Sequence, residues 1–340
     1  MNFFARLVVF SWGSLMSASA QSSPFDPFDG LFDPPPARQP AQQRSPNGPW
    51  NNDVLIYRVN AEGKPESIGA FERAGVPTAA RMADGRLLAA FQHFPKDDER
   101  NFDRVAVSFS SDEGKTWSKA QPIVVEGMEE GLMRPFDPTL VPLPDGRVRV
   151  YFTSNRARDF RQSTPEIYSA ISSDGVNYTF EPGVRFGIEG RVVIDCAVVL
   201  HQGVFHLYSP DNGTAEDFHN SNARHEPPPG GTGYHATSTD GLAFTRVDDV
   251  KLDDQDVRWL GSAQSNGQTI TFFATGRGIF TSTSRDGTSW QPAARLAVPG
   301  ADPGAVALKD GGWLVVVTGP PSDQWIRDWV EEIRLFDALW

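Results

Sequence analysis

Short apolar runs separated by tight turns fill the middle of this chain, and they come in pairs. Thr139-Leu-Val-Pro-Leu143 and Val148-Arg-Val-Tyr-Phe152 flank Asp145-Gly146, and the same arrangement recurs about Asp84-Gly85, Gln202-Gly203, Asn266-Gly267 and Asp310-Gly311. Such runs are too short for helices. Asp-Gly or Asn-Gly between them supplies the backbone of a hairpin turn, so the pattern predicts five antiparallel hairpins. A second turn interleaves with the first: Ser110-Ser-Asp112-Glu-Gly114-Lys-Thr-Trp117, Ser172-Ser-Asp174-Gly175, Ser238-Thr-Asp240-Gly241-Leu-Ala-Phe244 and Ser284-Arg-Asp286-Gly287-Thr-Ser-Trp290. Here the Asp side chain can accept from N–H groups of its own turn while Gly takes the positive φ. Copies at a regular spacing predict an array of similar small sheets.

Four of the five hairpins are followed by a Ser-x-Asp turn, and the last is not. The missing half lies at the other end. Val54-Leu-Ile-Tyr-Arg-Val59, a turn at Glu62-Gly63 and Ser67-Ile-Gly-Ala-Phe71 read as the two outer strands of a sheet. The predicted fold is therefore all-β, a five-bladed β-propeller over residues 51–320 closed by its N-terminal strands. Hydrophobic residues make up 39% of the chain, with 31 Gly and 27 Pro, which suits many short strands and turns.

The ends read differently. Arg6, the apolar stretch from Leu7 to Met16 and Ala18-Ser-Ala20 have the form of a signal peptide over residues 1–20, so the mature chain is expected to begin near Gln21 in a secreted or periplasmic protein. Residues 21–50, with Pro34-Pro-Pro36 and Gln42-Gln43, lack an apolar face and read as a disordered Pro-rich tether. At the C-terminus, Ser322 can cap an amphipathic helix over 321–340 whose apolar stripe is Ile326, Trp329, Val330, Ile333 and Phe336. The formal net charge of −12 argues against nucleic acid as a partner. With one cysteine, Cys196, there is no internal disulfide. No membrane span remains once the signal is cleaved, and a monomer is expected.

Strand polarity sorts the loops. If each innermost strand runs from the top of the ring downward, both families of short turns lie underneath and the longer polar loops lie on top, where binding chemistry concentrates. At the starts of the innermost strands, Asp137-Pro138 and Asp302-Pro303 fall in register ahead of their Asp-Gly turns, and Asp195-Cys196 stands one residue short of the same place. Three blades thus aim a carboxylate at one region. Carboxylates held close shift one another's pKa, so that one can stay a proton donor while another acts as base.

The Ser-x-Asp turns resemble the Asp-box of sialidase-like propellers. Met133-Arg-Pro-Phe-Asp137-Pro with the hairpin after it, and Ile194-Asp195-Cys-Ala-Val-Val-Leu followed by Phe205-His-Leu-Tyr208, resemble the strand-opening motifs of five-bladed glycoside hydrolases of the arabinanase, xylosidase and invertase superfamily. That resemblance implies an exported glycosidase acting on a carbohydrate. Asp137 would be base or nucleophile, Asp195 the orienting carboxylate, and a third acidic residue the general acid. Blade 4, opening at Arg258-Trp-Leu-Gly-Ser262, has no Glu at the matching place, so Glu189 is taken as the acid, ahead of Glu166 and Asp302. Glu166, Asp302, His93, Arg134, Arg191, Arg258 and Arg277 are the expected substrate contacts. No cofactor is required, though the superfamily allows a structural calcium at the propeller axis.

Gly75-Val-Pro-Thr-Ala-Ala-Arg-Met-Ala-Asp-Gly also resembles the first blade of a sialidase, but Gly75 stands where that motif carries its carboxylate-binding Arg. The second functional class is a non-catalytic propeller that binds glycan or protein in the cell envelope. Clusters around His93 with Asp97 and Asp98, and around Asp211 with Glu216 and His219, lack metal-ligand spacing.

Overall fold

The computed structural model describes residues 49–156, 163–216 and 230–319. The expected signal peptide, almost all of the tether and the C-terminal helix lie outside the described residues.

Five antiparallel sheets are arranged as the blades of a propeller. Blade 1 comprises Ala74–Arg81, Leu87–His93, Arg104–Ser110 and Gln121–Pro122. Blade 2 comprises Phe136–Pro142, Val148–Ser154, Glu166–Ser172 and Asn177–Phe186, with Val124–Glu126 added in parallel to its outer edge. Blade 3 holds Ala197–His201, Val204–Pro210, Thr232–Ser238 and the short outer strands Thr245–Arg246 and Val250–Lys251. Blade 4 holds Arg258–Ser265, Ile270–Gly276, Gly278–Ser284 and Ala294–Leu296. Blade 5 takes Ala301–Ala307 and Trp313–Gly319 from one end of the chain and Asp53–Val59 and Pro65–Phe71 from the other, with Val54 opposite Thr318 and Val59 opposite Trp313. The first strands of successive blades contact one another around the axis, and the first strand of blade 5 touches that of blade 1.

Second strands are buried along nearly their whole length, as Val148–Ser154 is at every position. A strand covered on both faces needs apolar or internally satisfied side chains throughout. Tyr151 meets this by donating its hydroxyl to the carbonyl of Gly241 at 2.8 Å, and Tyr208 by donating to Gly287 at 2.9 Å. Each bond crosses from one blade to the Ser-x-Asp turn of the next. Those turns are rigid: Asp240 accepts from the backbone of Leu242 at 2.8 Å and Ala243 at 3.0 Å, and Ser238 Oγ accepts from Gly241 at 2.9 Å. Gly287 has φ 76°, and a Cβ there would lie 2.5 Å from the His206 ring, so the seam between blades 3 and 4 admits no side chain.

That seam also contains a stacked column of His206, His235 and Tyr208, with His206 Nδ1 and His235 Nε2 3.0 Å apart. One proton serves the two nitrogens. Burial, reinforced by the neighbouring histidine, lowers the His235 pKa to about 4.

Candidate functional site

The innermost strands begin with a common device. In blades 1, 2 and 5 the register slips between Gly75 and Thr78, Phe136 and Thr139, and Ala301 and Gly304, so two residues oppose one. The first residue of each bulge takes a left-handed backbone: Val76 at φ 48°, Asp137 at 50° and Asp302 at 50°. Asp195 in blade 3 does the same at 65°. Left-handed φ is uncommon outside Gly, less so for Asp, and strained for β-branched Val.

The preceding blade holds each of these residues in place. The Asp195 N–H donates to Thr153 Oγ1 at 3.0 Å, Asp302 to Thr275 Oγ1 at 2.9 Å, Val76 to Thr318 Oγ1 at 2.8 Å, and Asp137 to Gln92 Oε1 at 3.5 Å. Each acceptor is the penultimate residue of a second strand. Sequence reading missed these acceptors, although Gln92, Thr153, Thr275 and Thr318 sit at one repeat position and could have been found there.

The device brings Asp137, Asp195 and Asp302 into one electrostatic group. Asp137 is 1% exposed and Asp195 8%, whereas Asp302 keeps a partly open surface. Burial, then the negative charges of Asp137 and Asp302, push the Asp195 pKa well above the usual carboxylate range. Burial raises that of Asp302 to about 6, against the opposing pull of Arg258 and of the Thr318 hydroxyl. Of the two, Asp195 is held toward its protonated form by burial and like charge, while Asp302, at about 6, is largely ionised at neutral pH.

Arg258 reaches this group. Its guanidinium charge acts on both Asp302 and Asp211, and burial lowers its own pKa. Arg191 donates to Tyr234 Oη at 2.9 Å and pairs with the Asp211 carboxylate. Arg134 is bonded to the Asp103 carbonyl at 2.6 Å and to its carboxylate, on the blade 1 side. His93 packs edge-on to Phe91, and burial lowers its pKa. The remaining candidates stand apart. Glu189 is exposed on the turn between blades 2 and 3, Glu166 accepts from the Tyr168 hydroxyl at 2.8 Å, and Arg277 is 78% exposed beside Asp256. Among the described residues no group of three His, Cys, Asp or Glu is placed to hold a metal ion, so no chemistry is assigned to calcium. Nor is any described helix long and apolar enough to cross a membrane.

A cleft of about 840 Å³ lies on the opposite face, beside the first Ser-x-Asp turn, with Arg86, Phe109, Asp112, Trp117 and Lys119 in its walls. Its Asp112 is consumed by the turn, where Thr116 lowers its pKa to about 2.

Solved structures share this architecture. An α-L-arabinofuranosidase from Clostridium thermocellum superposes with a TM-score of 0.52 at 14% identity, over 71% of this chain and 80% of that one. The chain has the fold of the five-bladed glycoside hydrolase propellers. A protein of unknown function from Dyadobacter fermentans gives 0.50 at 17% identity over 84% of each chain. A Bombyx mori β-fructofuranosidase gives 0.50 at 12% identity, over 72% of this chain and 54% of its own. At such identities the likeness is one of fold. No protein-family model and no curated protein matches the sequence.

Proposed function

We propose that the protein is an exported glycoside hydrolase whose chemistry runs in the funnel over Asp137, Asp195 and Asp302. The observation that carries this reading is the placement of three carboxylates from three blades at one repeat position, where burial and like charge push the Asp195 pKa well up and burial raises that of Asp302 to about 6. Asp195 donates its proton to the glycosidic oxygen as the C–O bond breaks. Asp302, partly open to solvent, takes a proton from the water that adds to the anomeric carbon. Asp137 supplies negative charge that favours the protonated form of Asp195. These roles differ from those implied by the resemblance, because the perturbing charges surround Asp195 whereas Glu189 is exposed. Glycosidases among the structural neighbours support the same class of reaction.

The test is kinetic. Against arabinan, xylan, fructan and sialyl substrates, Asp195→Asn and Asp302→Asn each lower turnover by orders of magnitude without loss of folding, while Glu189→Gln stays within a few-fold. A second reading, a non-catalytic envelope propeller with Asp-box turns, is favoured by the wide cleft on the opposite face. If the wild type turns over none of these substrates yet binds a glycan or envelope protein with micromolar affinity, that reading replaces the first.

A further inference from the structure

Between blades 1 and 2, a cavity of about 140 Å³ has Arg104 and Arg134 on its lining, with Val105, Ile123, Val125 and Met128 forming an apolar wall. Arg104 opens the third strand of blade 1 opposite His93, at the end of the ring where the innermost strands begin. The polar side of the chamber is unbalanced. Both Asp103 carboxylate oxygens already accept hydrogen bonds, one from Gln92 Nε2 and the other from Arg134. Arg104 makes no hydrogen bond or close ion pair with any described residue; burial and the like charge of Arg134 act against its cation, and the Asp103 charge only partly offsets them. Among the described residues, the Asp103 carboxylate is hydrogen-bonded to Arg134 and not to Arg104. A partly dehydrated cation without a partner is costly, and Arg does not shed its proton to relieve that cost.

We propose that this cavity binds the carboxylate of a small organic acid through the Arg104 guanidinium, with the apolar wall receiving the acid's carbon stem. A planar fork matches a carboxylate in two parallel bonds, and its surroundings of Val, Ile and Met strengthen them relative to water. The volume holds a few waters at roughly 30 Å³ each, or a carboxyl group with a short stem, so an acidic sugar enters by its carboxyl group with the ring outside. The walls disfavour chloride, which brings no apolar surface. Gln92 connects the chamber to the centre, since its Oε1 accepts from the Asp137 N–H while its Nε2 holds Asp103. The ligand is a free short-chain acid or the carboxyl group of an acidic sugar.

Calorimetric titration and thermal melting of the full chain with acetate, glucuronate, glucose and chloride, at matched ionic strength, test this. Acetate or glucuronate binds and raises Tm, whereas glucose and chloride do not. Tighter binding of glucuronate identifies the sugar acid as the source, and equal or weaker binding the free acid. Arg104→Gln weakens binding at least tenfold and Arg104→Lys by less. Without ligand, Arg104→Gln melts at or above the wild-type temperature, because it removes a partly dehydrated cation that no hydrogen-bonded carboxylate offsets. Equal effects of chloride and acetate, undiminished binding by Arg104→Gln, or a lower Tm for that variant without ligand would each overturn the proposal. Binding is read without turnover, so the result is independent of whether the central carboxylates hydrolyse anything.

Discussion

Replacing Asp302 by Asn separates the energetic burden of the central carboxylates from their role. Burial raises the Asp302 pKa from 3.8 to about 6, so the folded state prefers the protonated form more strongly than the unfolded chain does. A raised carboxylate contributes fully below its unfolded pKa, and that contribution is lost as pH rises through the folded value. A shift of about 2 units at about 1.4 kcal/mol per unit sets a ceiling of about 3 kcal/mol, reduced by the partial exposure of the side chain. Asn is nearly isosteric and cannot ionise, so it escapes this loss. Removing the charge also relieves Asp195, which adds in the same direction. At about 2 °C per kcal/mol for a domain of this size, Asp302→Asn melts up to roughly 6 °C above wild type at pH 8. The gap closes toward pH 4. Melting curves of both proteins from pH 4 to 8 measure it directly, and a gap that is absent at pH 8 or independent of pH refutes the electrostatic account of the site.

The histidine column supplies a contribution of the opposite sign. His235 is depressed from 6.5 to about 4 by burial and by His206, with His201 acting on His206 and with Asp249 and Asp286 pulling the other way, so its stabilisation is complete above pH 6.5 and lost as pH falls toward 4. In the Asp302→Asn background, urea midpoints should drop by an amount equivalent to about 3 kcal/mol over that interval, and an unchanged midpoint would count against a buried neutral pair. Gly287→Ala combines a left-handed backbone with a Cβ 2.5 Å from the His206 ring, and should cost about 3 kcal/mol by chemical denaturation. Deleting residues 53–71 removes two strands of blade 5 and should leave no cooperative melting transition, whereas deleting residues 21–48 should leave Tm unchanged. Mass spectrometry of the protein recovered from its native host should give an N-terminus near Gln21.

The hairpins were legible because their turns demand it: Gly85, Gly146, Gly203, Gly267 and Gly311 all have positive φ, and few other residues accept that backbone cheaply. Asp137 and Asp302 were legible because each precedes a Pro at a fixed distance from such a turn. Asp195 was harder, since its strand pairs without the bulge seen in blades 2 and 5. The unequal pKa shifts of the carboxylates were not legible, because they depend on burial and on charges supplied by other blades. Arg104 gave no signal at all. A cation at the mouth of a strand reads as solvated, and only the engagement of Asp103 by Arg134 and Gln92 leaves it without a hydrogen-bonded carboxylate.

The bulge at the start of the innermost strands has an evolutionary meaning. Its backbone is held from outside, by a hydroxyl or amide of the neighbouring blade, so its shape does not depend on which side chain it presents. Val76 and Asp137 occupy it with nearly the same φ. The ring thus offers a set of interchangeable sockets around one funnel, in which a carboxylate can be gained, lost or moved to another blade by a single codon change without rebuilding the scaffold. Catalytic and silent versions of such a propeller are then separated by short mutational paths, and an ancestor of either kind could have passed between them while remaining folded throughout.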